Sequence, residues 1–160
     1  MTTLGGLPAH ILLIHAIVVL APLTALLEII SAVWRPARRR LVWLILSLAV
    51  ITMVLTPITT DAGEWLERHT PPSEAIRAHT ELGDWMIYFS GGLLIVAVLL
   101  AALQLAESRS DARRPAATIA VALVAIVIGV GSTIGVYRIG ESGATAVWGD
   151  TEYVQQAPEK

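Results

Sequence analysis

The sequence predicts an all-α integral membrane protein folded as a four-helix bundle. First, 55% of its 160 residues are hydrophobic and only 15% are charged, whereas about 25% of the residues of a soluble domain are charged. Second, its mean hydropathy of +0.68 is high for so short a chain. Third, the chain holds four apolar runs close to the length that crosses a bilayer as a helix, about 20 residues.

Each apolar run is expected to form one membrane-spanning helix, because lipid cannot satisfy the polar groups of an extended backbone. The first run begins beside His10 and is interrupted by His15 and Glu28, whereas the other three runs contain no Asp, Glu, His, Lys or Arg. The runs predict a single transmembrane domain over residues 1–148, and we expect the polar tail that follows, residues 149–160, to be disordered. The predicted spans lie at about 9–33, 41–58, 85–105 and 116–136.

The connections between the runs differ in charge, and this difference predicts the orientation of the bundle. The first connection, residues 35–40, holds four arginines and no acid, and the third, residues 107–114, adds three arginines. The second, residues 59–84, contains six acidic residues against two arginines. Because arginine-rich loops stay on the cytoplasmic side of a membrane, we expect both termini to lie outside.

Composition also narrows the classes of function. The chain has no cysteine, which excludes disulfides, thiolate metal sites and cysteine nucleophiles. A net charge of -2 with a single lysine, Lys160, gives no basic face for nucleic acid. The expected partners are therefore the lipid bilayer and other membrane proteins. No hydrolytic or phosphoryl-transfer motif is present, so the sequence favours a non-enzymatic role.

All four histidines are expected on the outer side, and His15 is the one placed well inside a span. An ionisable side chain within a span indicates a functional site or a hydrogen bond between helices. His10 and His15 diverge by about 140° around a helix, so a shared site needs one of them and a histidine from another helix. We expect His79 to face His15. The two imidazoles could be the axial ligands of b-type haem, or they could bind a transition metal together with Glu64.

Further polar side chains near the outer end are candidates for a shell around that site. His10, Glu64 and Asp84 could orient the ligands, and Tyr137 and Arg138 lie at the end of the fourth span. The guanidinium of Arg138 suits a carboxylate or a haem propionate. The alternative for Arg138 is an interfacial anchor, or a salt bridge to Glu64 or Asp84.

Two features lie deeper in the spans. Glu28 is expected to pair with an arginine of the first connection or to snorkel locally, because an unpaired charge in lipid is costly. The alternative is a role in proton relay. Gly131 begins a step of two glycines separated by three residues, which ends at Gly135. Such steps let helix backbones approach closely, so we expect Gly131 to contact a neighbouring helix.

Four stretches taken together resemble a family of uncharacterised bacterial four-span membrane proteins, the domain-of-unknown-function family numbered 2231. The resemblance covers Leu4 to about Trp148. It implies a multipass protein of the bacterial cytoplasmic (inner) membrane and carries no settled activity. The stretches are residues 7–15 (LPAHILLIH), 59–65 (TTDAGEW), 79–84 (HTELGD) and 137–144 (YRIGESGA).

Two functions are compatible with these observations. The first is a histidine-lined site at the outer face that binds b-type haem or a transition metal for electron transfer. The second is a non-catalytic structural or accessory subunit of a respiratory-type membrane assembly. In that case the histidines serve only as hydrogen-bonding groups between helices.

Overall fold

The computed structural model describes residues 3–4, 7–110 and 114–149, so the predicted disorder of the tail lies outside the described residues except for Gly149. The predicted all-α membrane class is confirmed, because helices form nearly all of the described chain and four of them are long and apolar enough to span a membrane. Two short strands, which pair antiparallel, precede the first helix. The elements are β1 (Thr3–Leu4), β2 (Leu7–Pro8), α1 (Ala9–Val33), α2 (Arg35–Arg68), α3 (Glu74–Gly83), α4 (Met86–Ser110) and α5 (Pro115–Trp148).

Four long helices form the bundle as two antiparallel hairpins, α1–α2 and α4–α5. Helix α1 packs against α2 and α5, and α4 packs against the same two helices, so α1 and α4 lie diagonally opposite. Short helix α3 lies against α5 at one end of the bundle. The charge pattern predicts that this end faces outside, and it is called the outer end below. Small and branched side chains fill the centre, which allows close packing of all four helices. Fully buried examples are Ala21, Val42, Ile45, Leu93, Leu100 and Ala125.

Proline marks the start of the second helix in each hairpin. Pro36 lies in the first turn of α2, one residue after the start, and Pro115 begins α5. Proline lacks a backbone N–H and has a fixed φ, so it is suited to the first turn of a helix. A single residue, Trp34, separates α1 from α2, and its extended backbone, with φ of -122° and ψ of 98°, ends the first helix.

The surface of the bundle is covered by large apolar side chains, as expected of helices that face lipid. Examples from three different helices are Val19 on α1, Trp43 on α2 and Val127 on α5, each more than half exposed. A soluble protein rarely exposes such a continuous apolar surface. This surface therefore supports insertion of the bundle into a membrane.

Glycine contacts on α5 differ from the expected pattern. The prediction for Gly131 is wrong, because Gly131 is exposed and an added Cβ there would meet nothing within 4 Å. Its neighbours are the contact residues: a Cβ on Gly129 would lie 3.1 Å from Ile29 Cδ1, and one on Gly135 would overlap the ring of Phe89. A helix turns by about 100° per residue, so Gly131 points away from the side that Gly129 uses.

Candidate outer-face histidine site

His10, at the start of α1, packs onto the backbone of α2. Its Nδ1–H donates to the carbonyl oxygen of Thr59 at 2.9 Å. The ring covers Gly63, four residues further along α2, where an added Cβ would lie 2.9 Å from His10 Cε1. Gly63 therefore provides the space for this imidazole, and the Thr59 carbonyl fixes its orientation.

His79, on α3, is seated on α5 in a similar way. Its Nδ1 lies 3.0 Å from Ser142 Oγ, and that hydroxyl donates to the Ile139 carbonyl at 2.8 Å. Because the serine proton is engaged by Ile139, the Nδ1–H of His79 is the donor to Ser142. A Cβ on Gly143 would lie 3.0 Å from His79 Cε1. Each imidazole therefore packs on a glycine of the neighbouring helix. The carbonyl that lies four residues before that glycine accepts a hydrogen bond from the ring, directly for His10 and through Ser142 for His79.

The two imidazoles lie next to each other although they come from different helices. Their ring centroids are 6.2 Å apart, and the ring planes are inclined by 73°. Both Nδ1 atoms carry the proton in these hydrogen bonds, so Nε2 carries a lone pair in the neutral form of either ring. In that form the site offers two nitrogen ligands at the outer end of the bundle.

Burial and charge both favour the neutral form of His79. Burial lowers the pKa of His79, the neighbouring His10 lowers it further, and the carbonyl of Ile139 acts in the opposite direction. The net pKa lies below the usual 6.5. A neutral imidazole is the form that accepts a hydrogen bond or binds a metal.

His79 is brought together with His10 and not with His15, which corrects the expected pairing. His15 is exposed on the surface of the bundle, and its Nδ1–H is bonded to the carbonyl of Ile11 one turn earlier. The physical reason is the divergence of about 140° between positions five apart on a helix. With His10 facing α2 and α3, His15 must face outward.

Apart from His10, the side chains expected around the site are all exposed. Glu64 pairs with Arg68 on its own helix at 3.4 Å, and Asp84 ends α3. Tyr137 and Arg138 are also exposed, and the expected salt bridge from Arg138 to Glu64 or Asp84 is absent among the described residues. Their place in a cofactor shell stays a prediction.

Sequence reasoning missed the groups that hold the rings, namely Thr59, Gly63, Ser142 and Gly143. All four lie within the stretches that carry the family resemblance. The available signal was a glycine in each of the two stretches, Gly63 and Gly143, four residues after Thr59 and Ile139. This glycine spacing was not decisive, because a glycine can be recognised as the packing site of an imidazole only when the neighbouring helix is known.

At the opposite end of the bundle, two arginines of α2 share one carboxylate of α4. Arg35 Nε donates to Glu107 Oε2 at 2.8 Å, and Arg38 Nη2 donates to the same oxygen at 2.9 Å. Arg38 is 1% exposed and Glu107 is 2% exposed. Burial alone would raise the pKa of Glu107, but the two guanidiniums outweigh burial and hold that pKa below its usual value.

Glu28 does not have the arginine partner expected for it. It is fully buried, and within the described part of the chain neither carboxyl oxygen has a hydrogen-bond partner. The arginines of the first connection that turn inward, Arg35 and Arg38, bind Glu107 instead. Glu107 reaches them because α4 ends beside the start of α2.

Comparison with known proteins places the chain in a family without assigning a reaction. No curated protein and no solved structure matches the sequence. A family described as predicted membrane protein, DUF2231, matches residues 6–156, which is nearly the whole length. This match agrees with the resemblance that the four sequence stretches predicted. The chain therefore belongs to the DUF2231 family of predicted membrane proteins.

Proposed function

We propose that this membrane protein binds a first-row transition-metal ion at its outer end through Nε2 of His10 and of His79. One observation carries the proposal: two imidazoles from different helices lie with their centroids 6.2 Å apart. Metal–nitrogen bonds are about 2.0–2.1 Å long, so a single ion can contact both rings across this separation with small adjustments.

The hydrogen bonds behind the rings support this proposal. A metal-bound histidine commonly donates its other ring N–H to a carbonyl or carboxylate, which fixes the tautomer and the orientation of the ring. His10 donates directly to Thr59, and His79 donates through Ser142. Imidazole nitrogens suit Cu and Zn, and copper would add the capacity for electron transfer, whereas zinc has no redox chemistry.

Two histidines alone would leave coordination positions open. Within the described residues no group of three or more His, Asp or Glu side chains is placed to hold one ion. The remaining positions would be taken by water, by a substrate or by a group from a partner protein. Open positions are a feature of metal sites that react or exchange ligands, whereas structural sites are closed.

An ion is preferred to b-type haem at this site. Each ring lies against a helix backbone, at Gly63 or Gly143, and the two rings are neighbours. A macrocycle between them would require the helices to move apart. A Soret band in the purified protein after growth with excess haem would indicate that haem is the ligand and would count against a metal ion.

Metal titration of the purified full-length protein tests the proposal. We expect binding of Cu²⁺ or Zn²⁺, measured by calorimetry and elemental analysis, to weaken by roughly 100-fold in His10→Ala and in His79→Ala. Removal of the serine behind His79 in Ser142→Ala should weaken binding by roughly 10-fold, as loss of such supporting groups does. His69→Ala is the matched control, since His69 is exposed and bonded within its own helix.

Two results would count against this site. Equal metal affinity of the wild type and His10→Ala would exclude His10 as a ligand. Loss of binding in His15→Ala but not in His10→Ala would restore the pairing of His15 with His79 that the sequence favours. If the protein binds neither metal nor haem, both cofactor functions are excluded and the accessory-subunit role is the one retained.

The contacts of the two histidines are also compatible with the role of a structural or accessory subunit. Each Nδ1 already has a hydrogen-bond acceptor, and each ring fills a space over a glycine. A histidine that only joins two helices needs no more than this. Variants His10→Asn and His79→Asn that keep full stability and full association with other membrane proteins would fit this structural role.

We infer further that the protein resides in a bacterial inner membrane with both termini outside. The support is the concentration of arginine in the α1–α2 connection and before α5, as the positive-inside rule requires of cytoplasmic loops. Single cysteines at Arg39 and Ser73 should react oppositely with an impermeant thiol reagent added to intact cells. Reaction at both positions from outside would exclude this orientation.

A further inference from the structure

An arginine-lined pocket lies at the end of the bundle opposite the histidines. It has a volume of about 700 Å³ and opens between the start of α2, the end of α4 and the start of α5. Glu107 is the one acidic residue that the described chain contributes to its lining. Five arginines line it: Arg35, Arg38, Arg39, Arg40 and Arg114.

The described residues leave the charges of this arginine pocket unbalanced. Glu107 is shared by Arg35 and Arg38, so this trio keeps one positive charge, and three further arginines add to it. Among the residues that the structure describes, Arg38 Nε and Arg35 Nη2 are buried without a hydrogen-bond partner. A buried donor without an acceptor is costly, and Arg38 is only 1% exposed. The pocket is therefore built for an anion that accepts hydrogen bonds.

Two helix starts add to the positive potential. Helices α2 and α5 both begin at the pocket, and neither has a side-chain hydrogen bond at its N-cap, Trp34 or Arg114. The start of a helix carries a partial positive charge and free N–H groups, which attract phosphate. Guanidinium groups bind phosphate oxygens in pairs. These features together point to a phosphate group as the ligand.

The apolar surroundings indicate that this phosphate belongs to a lipid. Val33 and Ile119, which also line the pocket, are apolar and are 64% and 61% exposed. A second cavity of about 270 Å³, almost entirely apolar, lies deeper between α1 and α5 and includes Ile29 and Gly129. At 1.5 Å per residue it begins about 6 Å from Val33 along α1. An acyl chain can follow this groove while its headgroup lies among the arginines.

We propose that the arginine pocket binds the headgroup phosphate of an anionic phospholipid, whose acyl chain lies along the α1–α5 groove. Basic pockets between transmembrane helices at the cytoplasmic surface are suited to such lipids. The site is independent of the histidine pair, because it lies at the other end of the bundle. It would tie the protein to anionic membranes and fill the space between the two hairpins at this end.

Native mass spectrometry of the full-length protein in detergent tests this proposal. Protein titrated with phosphatidylglycerol or cardiolipin should retain lipid at concentrations at which phosphatidylcholine is lost. The triple variant Arg39→Gln, Arg40→Gln, Arg114→Gln leaves the buried pair of Arg38 and Glu107 intact. Each arginine near an anionic surface contributes a factor of roughly five in affinity, so we expect a loss on the order of 100-fold.

Two control variants distinguish lipid binding at the arginine pocket from a general effect of positive charge and from misfolding. The variant Arg77→Gln, Arg138→Gln removes exposed arginines at the opposite end and should keep the lipid selectivity. The triple lysine variant at positions 39, 40 and 114 should recover most of the lost affinity, since lysine retains the charge. An equal loss in the Arg77 and Arg138 control would overturn the proposal.

A final arm distinguishes lipid from free phosphate. Inorganic phosphate at millimolar concentration should neither raise the melting temperature nor displace phosphatidylglycerol. Stabilisation by inorganic phosphate with no preference between phosphatidylglycerol and phosphatidylcholine would overturn the lipid assignment. Equal retention of all lipids by the wild type and the triple variant would overturn the pocket itself.

Discussion

The two ends of the bundle hold their polar side chains in different ways. At the outer end, His10 and His79 bond through Nδ1 to a carbonyl or a serine, with glycines beneath the rings. At the opposite end, called the inner end below, Arg35 and Arg38 share the carboxylate of Glu107. The hydrogen bonds occupy one nitrogen of each ring and leave the other for a ligand, whereas the ion pairs leave Arg35 Nη2 and Arg38 Nε without an acceptor among the described residues.

This difference has an energetic consequence. A buried ion pair adds little to stability compared with an apolar replacement, but removal of one partner leaves an uncompensated charge. A neutral hydrogen bond contributes about 1 kcal/mol, and its loss is correspondingly small. The inner end should therefore tolerate substitution far less well than the outer end.

The largest effect is expected at Glu107. Glu107→Ala leaves Arg38 buried without its carboxylate partner, and we expect a loss of about 3–5 kcal/mol in the free energy of unfolding. Thermal unfolding in detergent, followed by circular dichroism, measures this loss. Glu81→Ala, at an exposed position of α3, should change stability by no more than about 0.5 kcal/mol. Similar melting temperatures for the two variants would show that the buried ion pair does not hold the inner end together.

A smaller effect is expected where α5 passes Phe89. Gly135→Ala places a Cβ in the volume of the Phe89 ring, and overpacking of this kind costs about 1–3 kcal/mol. Gly131→Ala is the matched control on the same helix, because its Cβ meets open space. There the higher helix propensity of alanine should stabilise by up to about 1 kcal/mol. The opposite order of melting temperatures would mean that α5 is rotated relative to the bundle described above.

The contrast between Gly131 and Gly135 also shows what the sequence could predict. Hydropathy and length were enough for four spans, because the bilayer imposes the same requirement on every helix. They do not determine which side of a helix faces a neighbour, since the apolar residues of α1, α4 and α5 surround each helix. For the same reason the choice between His10 and His15 could not be made, although their divergence on α1 was evident. Glu107 lies 72 residues after Arg35 and 69 residues after Arg38, so their pairing depends on the arrangement of the hairpins.

The histidine pair should make stability depend on pH. The pKa of His79 is lowered in the folded protein relative to 6.5, so the unfolded chain binds a proton first as pH falls. Stability from this residue is therefore fully present above about pH 7 and decreases as pH falls through 6.5 towards the folded pKa. Melting temperatures from pH 7.5 to 5 should show this decrease in the wild type and a smaller one in His79→Asn. His69→Asn should behave as the wild type, and an unchanged slope in His79→Asn would assign the titration to another group.

The smallest effect is expected for the exposed ion pair of Glu64 and Arg68, which lies on the same helix as Arg38. The two side chains are 3.4 Å apart, and both are more than half exposed. Solvent and salt screen such a pair, so a double-mutant cycle with Glu64→Ala and Arg68→Ala should give a coupling of about 0.3–0.5 kcal/mol. The same cycle for Arg35 and Glu107 should give a coupling several times larger, because the carboxylate of Glu107 is buried. Equal coupling in the two cycles would mean that water reaches Glu107, and that burial does not distinguish the inner end from the surface of α2.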